Sequence, residues 1–194
     1  MLLSTAPNAI DSAMSQPSAW IVRWSHLVPA GGRVLDVACG AGRHLRWFAD
    51  RGHAVTGVDR APDAVASAAR WGRALQADIE AGPWPFAGEN FDVVVVTNYL
   101  WRPRLPDIVA AVAPGGVLLY ETFAAGNETI GKPSRPDFLL QPGELIAACA
   151  GLRVVAYEHG YESTPPRFVQ RIAAVRLDGS GIPLRHLLGE PARP

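Results

Sequence analysis

The stretch Val34-Leu35-Asp36-Val37-Ala38-Cys39-Gly40-Ala41-Gly42 decides how the rest of this chain is read. An apolar run ends in a Gly-x-Gly turn and passes directly into a helical pattern carried by Leu45, Phe48 and Ala49. Glycines in such a turn let backbone N–H groups approach a bound molecule with no side chain in between. A second apolar run, Ala54 to Val58, closes on Asp59. An acidic residue at the tip of the second strand of such a unit usually accepts hydrogen bonds from ribose hydroxyls. The two runs together point to a nucleoside-bearing cofactor.

Outward from this unit, strand and helix alternate. Arg33 to Val37 reads as strand one, Ala54 to Val58 as strand two, Ala74 to Ala77 as strand three and Phe91 to Thr97 as strand four. The four consecutive valines of strand four suit a strand covered on both faces. Pro62 sits where a first helical turn tolerates it, and Val65, Ala68 and Ala69 give that helix an apolar face. Leu105, Ile108, Val109 and Val112 predict a helix that breaks at Pro114-Gly115-Gly116, and Val117 to Phe123 is strand five. Alternation of this kind implies a parallel sheet with right-handed crossovers, an α/β doubly wound fold. Ahead of it, Trp20, Trp24, Leu27 and Val28 mark one buried helical stripe. After it, Ala124 to Gln141 lacks periodicity, and a stretch that long is functional or disordered in a compact domain. A short helix over Pro142 to Ala150 follows, then two strands, Leu152 to Tyr157 and Phe168 to Val175, joined through Gly160 to Arg167 as an antiparallel pair. The expected division is a flexible arm over 1–15, the domain over 16–178 and a loosely packed tail over 179–194.

Bulk properties narrow the partners. With 194 residues, 48 % of them hydrophobic, the chain can bury a substantial core. Lys+Arg and Asp+Glu are both 18, which argues against a nucleic-acid partner held by phosphate contacts. Two cysteines are too few for a disulfide scaffold and suit a reducing cytoplasm. Cys39 reads as a small buried side chain. No run approaches the ~20 apolar residues that span a bilayer. No metal site is expected, and the chain is expected as a monomer or homodimer.

Against the dinucleotide fingerprint G-x-G-x-x-G, Gly40 and Gly42 are present but the third position is Leu45. No P-loop sequence occurs. Asp36 to Gly42 instead resembles the first motif, D/E-x-x-x-G-x-G, of class I S-adenosylmethionine-dependent methyltransferases. Val55-Thr56-Gly57-Val58-Asp59, Gln76-Ala77-Asp78-Ile79 and Phe91 to Val96 resemble the family's next three motifs, in order, across roughly Trp20 to Arg176. The resemblance extends to the small bacterial tellurite-resistance and general small-molecule type. It implies a seven-stranded, mostly parallel sheet with an antiparallel hairpin at one edge. It also implies that Asp59 binds the ribose, that Asp78 contacts the adenine amine and that Ile79 lies near the ring, with Trp84 or Phe86 behind it. Asp36 would fix the turn or take the ammonium through water. Ala38, Gly40, Gly42, Arg60 and Asn98 complete the expected cofactor shell.

The acceptor should bind outside the carboxyl ends of the strands, where His44, Asn98, Tyr99, Trp101, Arg102, Glu121 and Thr122 fall. His44 and Tyr99 are the candidate catalytic residues. Tyr99, Arg102, Lys132 and Arg135 are the candidate acceptor contacts. Thr97-Asn98-Tyr99-Leu100 lacks the [DNS]-P-P-[YF] sequence of enzymes that methylate planar amide or exocyclic nitrogens, which favours other acceptors. Two rival readings stay open on the residues alone: a non-catalytic cofactor-binding subunit or sensor, and an NAD(P)-dependent oxidoreductase.

Overall fold

The computed structural model describes residues 16–180 and 185–188. The expected arm over 1–15 and most of the tail lie outside the described residues. Seven strands form one sheet: β1 (Arg33–Val37), β2 (Ala54–Asp59), β3 (Arg73–Gln76), β4 (Phe91–Thr97), β5 (Val112–Phe123), β6 (Arg153–Ser163) and β7 (Pro166–Val175). Their spatial order is β3-β2-β1-β4-β5-β7-β6. The first five run parallel, and β7 runs antiparallel to both β5 and β6. Five helices accompany them among the described residues: α1 (Ala19–Trp24), α2 (Arg43–Ala49), α3 (Pro62–Ala68), α4 (Leu105–Ala110) and α5 (Glu144–Ala148). The expected doubly wound α/β architecture with its antiparallel edge is the one found.

The valine run of β4 shows why the sheet is central. Val94 and Val96 enter one core with Leu35, Phe86, Phe91, Ile108 and Leu145. Val93 and Val95 enter the other with Trp20, Trp24, Leu45 and Phe48. A strand with period-two geometry between two apolar layers needs an apolar residue at every position, and valine suits that pleated surface. The order reverses at β1 and β4, and that crevice at the carboxyl ends is where open α/β sheets bind ligands.

Several boundaries differ from expectation, each for a local reason. The Pro114-Gly115-Gly116 break lies inside β5, because Phe91 pairs with Val112 and the register then shifts to Val93↔Val117. Gly116 fits that bulge; an added Cβ would sit 3.0 Å from the carbonyl oxygens of Phe91 and Asp92. The joining segment expected over Gly160 to Arg167 is mostly strand. Its pairs Glu162↔Arg167 and Glu158↔Arg171 place opposite charges across the ladder. The aperiodic stretch Ala124 to Gln141 is ordered by two 3-10 turns, Asn127–Thr129 and Pro136–Phe138, and by an Ala124↔Leu140 bridge. Asn127 is buried there, donating to the Pro133 carbonyl at 2.9 Å and accepting from the Phe168 N–H at 3.2 Å.

Candidate functional site

The site grows from the glycine turn. Asp59 at the tip of β2 accepts from the Gly40 N–H at 2.8 Å with Oδ2 and from the Ala61 N–H at 2.9 Å with Oδ1. The carboxylate thus holds the turn in place while its remaining lone pairs stay open. Gly40 has φ +54, and an added Cβ would meet nothing within 4 Å: the turn borders open space there. Ala38 and Asn98 are the two non-glycine residues with positive φ among the described residues, both at 54°. They sit just past the tips of neighbouring strands β1 and β4, at the switch point of the sheet.

Gly42 and Gly57 act differently. Gly42, at φ +83, lets the start of α2 approach Ala68 of α3; an added Cβ would lie 3.0 Å from its Cα. At Gly57 an added Cβ would lie 2.7 Å from both Cys39 Sγ and Leu45 Cδ1. The close helix–strand approach that a third fingerprint glycine would give is reached here by pressing Leu45 against a glycine in β2. The Cys39 thiol is pushed far up by burial and then by the nearby Asp36 and Asp59, so it is an inert packing group.

Two cavities meet at Ala38. The smaller, about 140 Å3, is lined by Val58, Asp59, Arg60, Ala77, Asp78, Ile79, Glu80 and Tyr99. Asp78 accepts from the Glu80 and Ala81 N–H groups with Oδ1, at 2.9 and 3.2 Å, and its Oδ2 stays open. Tyr99 closes this cavity; its hydroxyl is buried and takes no hydrogen bond, and burial raises its pKa well above the ordinary phenol value. Trp84 and Phe86 do not line it. They stack edge-to-face with centroids 5.4 Å apart and Phe86 packs on Phe91 in the core, so the expected aromatic backing of Ile79 is structural. The larger cavity, about 620 Å3, runs along the turn from Ala38 to Gly42 and takes in Arg43, Arg46, Ser67, Arg70, Trp71, Thr97 and Asn98.

Beneath the turn, Asp36 is fully buried and neither of its oxygens takes a hydrogen bond. His44 Nδ1 lies 3.4 Å from Asp36 Oδ2, and His44 Nε2 accepts from the Ser18 N–H at 3.2 Å. The ring is 1 % exposed. Its one lone pair is committed to Ser18, which corrects the expectation of His44 as a general base: it is a strut between the α1 cap and β1. Glu121 is equally occupied, accepting from Ser18 Oγ at 2.9 Å and paired with Arg171 at 3.0 Å and Arg167 at 3.4 Å.

The expected acceptor contacts fare unevenly. Arg102 spends its guanidinium on Glu144 at 2.6 and 3.0 Å and on the Asp137 and Leu139 carbonyls at 2.9 Å each. It clamps the 124–141 segment and has no free fork for a substrate. Lys132 and Arg135 are exposed and line neither cavity, and Arg135 pairs with Asp137 at 2.7 Å. Sequence reading missed Arg43, Arg46 and Arg70, which do line the larger cavity. The one available signal was Arg43, directly after the glycine turn. Arg46 and Arg70 belong to no motif.

A seven-stranded 3-2-1-4-5-7-6 sheet with an acid-anchored glycine turn at its switch point defines the class I methyltransferase architecture. Comparison with known proteins agrees. Residues 34–116 match the family model described as a methyltransferase domain. Over 166 residues the chain is 32 % identical to malonyl-[acyl-carrier protein] O-methyltransferase of Enterobacter lignolyticus, covering 77 % of this chain and 64 % of that protein. It is 37 % identical over 106 residues to the enzyme of the same name from Serratia marcescens, covering 50 % of this chain and 40 % of that one. The chain therefore spans less than two thirds of the length of these relatives. Among solved structures, TehB from Haemophilus influenzae superposes with a TM-score of 0.61 at 20 % identity, over 76 % of this chain and 58 % of that one, a likeness of fold. The chain thus carries a methyltransferase domain over residues 34–116, and its fold is that of class I S-adenosylmethionine-dependent methyltransferases. No helix among the described residues is long and apolar enough to cross a membrane.

Proposed function

We propose that this protein transfers the methyl group of S-adenosylmethionine to a small-molecule acceptor that is nucleophilic without help from a protein base. One observation carries the reading: open and orphaned polar atoms converge on two cavities that share Ala38. Asp59 keeps lone pairs for two ribose hydroxyls, and Asp78 Oδ2 is open to an exocyclic amine. Ile79 and Tyr99 offer apolar walls to a flat ring, and Gly40 leaves room against backbone. The Asp36 carboxylate, which takes no hydrogen bond and has His44 Nδ1 at 3.4 Å, lies under the turn, where a cationic head would help offset its burial.

The bound cofactor supplies a methyl already activated by its positive sulfur. What remains for the chain is to align the acceptor and exclude water. The candidate bases on α2 and at the carboxyl ends of β4 and β5 are poor ones. His44 has no free lone pair, Glu121 is saturated by arginines, and burial holds the Tyr99 phenol protonated. An acceptor that is already anionic or soft, such as a carboxylate or thiolate, fits that inventory. O-methylation, which the names of both relatives record, is compatible with a carboxylate acceptor. The test is S-adenosylhomocysteine formation across paired thiols, phenols and carboxylates. Turnover of carboxylates or thiols at neutral pH is expected. Cofactor binding with no product from any acceptor would favour a binding subunit instead.

A further inference from the structure

The larger cavity carries more positive charge than the cofactor can use. Three arginines line it, Arg43 and Arg46 from α2 and Arg70 just after α3, and no Asp or Glu does. Arg43 points inward, donating to Thr97 Oγ1 at 3.3 Å at the tip of β4. Arg46 lies 5.4 Å over the Trp71 ring and 3.6 Å from Asp50, so it is partly neutralised from outside. Arg70 has neither an acidic partner nor a hydrogen bond among the described residues, yet it belongs to the wall. The methionine head of the cofactor brings one carboxylate, together with an ammonium and a sulfonium. One arginine suffices for that carboxylate, and two remain.

The uncompensated guanidinium of Arg70 on a concave wall attracts an anion, and Arg46 is held only by an exposed pair with Asp50 that contributes little. Arginine is the residue suited to binding carboxylate or phosphate through a planar fork. We propose that Arg70 and Arg46, beside Trp71, form an acceptor subsite for an anionic group, carboxylate or phosphate, so that the substrate is an organic acid anchored at the α2–α3 edge of the cavity. This rests on the methyltransferase reading and narrows its acceptor class. It moves acceptor recognition away from Lys132, Arg135 and Arg102 to two helices on the opposite side of the glycine turn.

The experiment uses the full chain saturated with S-adenosylhomocysteine. Benzoate, phenyl phosphate and neutral benzamide are titrated by calorimetry, first into the wild type and then into R70Q and R46Q. At least one of the two anions is expected to bind ten-fold or more tightly than benzamide. The preferred anion identifies the group. Each substitution should weaken that anion five-fold or more and leave S-adenosylhomocysteine affinity within two-fold. Equal binding of anions and benzamide, no binding of any probe, or unchanged anion affinity in R70Q would overturn the subsite. Both variants change exposed side chains, so folding is expected to persist, and their cofactor affinity verifies it. Failure of the wild type to bind S-adenosylhomocysteine would remove the methyltransferase reading itself, a separate result from failure of the anion titration.

Discussion

At the scale of single residues, Asp59 carries two duties that are measured separately. Its carboxylate ties the Gly40 and Ala61 N–H groups, and its open lone pairs face the smaller cavity. Charge-assisted hydrogen bonds contribute about 1.5–3 kcal/mol, and an orphaned buried donor costs about as much. Asp59→Ala should therefore lower stability by about 1–3 kcal/mol in denaturant melts. It should also weaken S-adenosylhomocysteine binding roughly ten- to a hundred-fold by calorimetry. Affinity that stays the same while stability falls would leave Asp59 as a turn anchor only. Ala38, Gly40, Asp59, Asp78 and Ile79 were legible as cavity-lining residues because each lies within a few residues of a strand tip, and strand tips are spelled by local pattern. His44 and Arg102 were misread for a common reason. A side chain's free valences depend on partners far along the chain: Ser18 in one case, the Asp137 and Leu139 carbonyls in the other. The arginines of the larger cavity come from two helices that touch only in the folded state, and no spacing links Arg46 with Arg70.

Elements meet at two contacts whose failure should be distinguishable. The first is Leu45 of α2 in the notch of Gly57. An alanine there would put Cβ 2.7 Å from Leu45 Cδ1 and Cys39 Sγ. Overpacking of this kind costs about 1–3 kcal/mol. Gly57→Ala should lose that much in a chemical melt, and adding Leu45→Ala should cost less than the two single changes summed, because the pair shares one space. Strict additivity would refute the notch. The second is the clamp of Arg102 on α5 and the 124–141 segment. Burial disfavours the charge of Glu144, but the Arg102 fork and the Gln141 N–H outweigh it and hold its carboxyl below the ordinary glutamate value. The folded chain thus binds this proton less readily than the unfolded chain. The stabilisation is complete above the unfolded value of about 4.3 and is lost as pH falls through the lower folded value. Acid melts of the wild type and Glu144→Gln should converge as pH drops below about 4, with the variant less stable at pH 7. A constant gap would mean that the clamp does not depend on charge. Glu162 is also held low by arginines, so only the difference between the two proteins isolates Glu144. The sheet was legible from the sequence as to strand number and type. The edges were not: the bulge at Gly116 and the long β6–β7 hairpin depend on cross-strand pairing, which a single-strand pattern does not encode.

On the scale of the whole molecule, the candidate crevice joins two parts of the sheet. The β2–β3 side supplies Asp59 and Asp78, the β1–β4 switch supplies Ala38 and Asn98, and the two cavities meet between them. A ligand that fills both binds only the assembled sheet, so it must raise the melting temperature by mass action. At a hundred-fold excess over its dissociation constant, S-adenosylhomocysteine should stabilise the fold by about 2.7 kcal/mol. For a chain of this size that is roughly 5–11 °C in scanning calorimetry. NAD at the same concentration should give no shift. Its pyrophosphate needs close approach to the start of the helix after strand one. The Asp36 carboxylate, buried beneath the glycine turn without a hydrogen bond, repels the pyrophosphate charge. A shift with NAD and none with S-adenosylhomocysteine would mean that the glycine turn serves a dinucleotide, and the charge argument from Asp36 would fail with it.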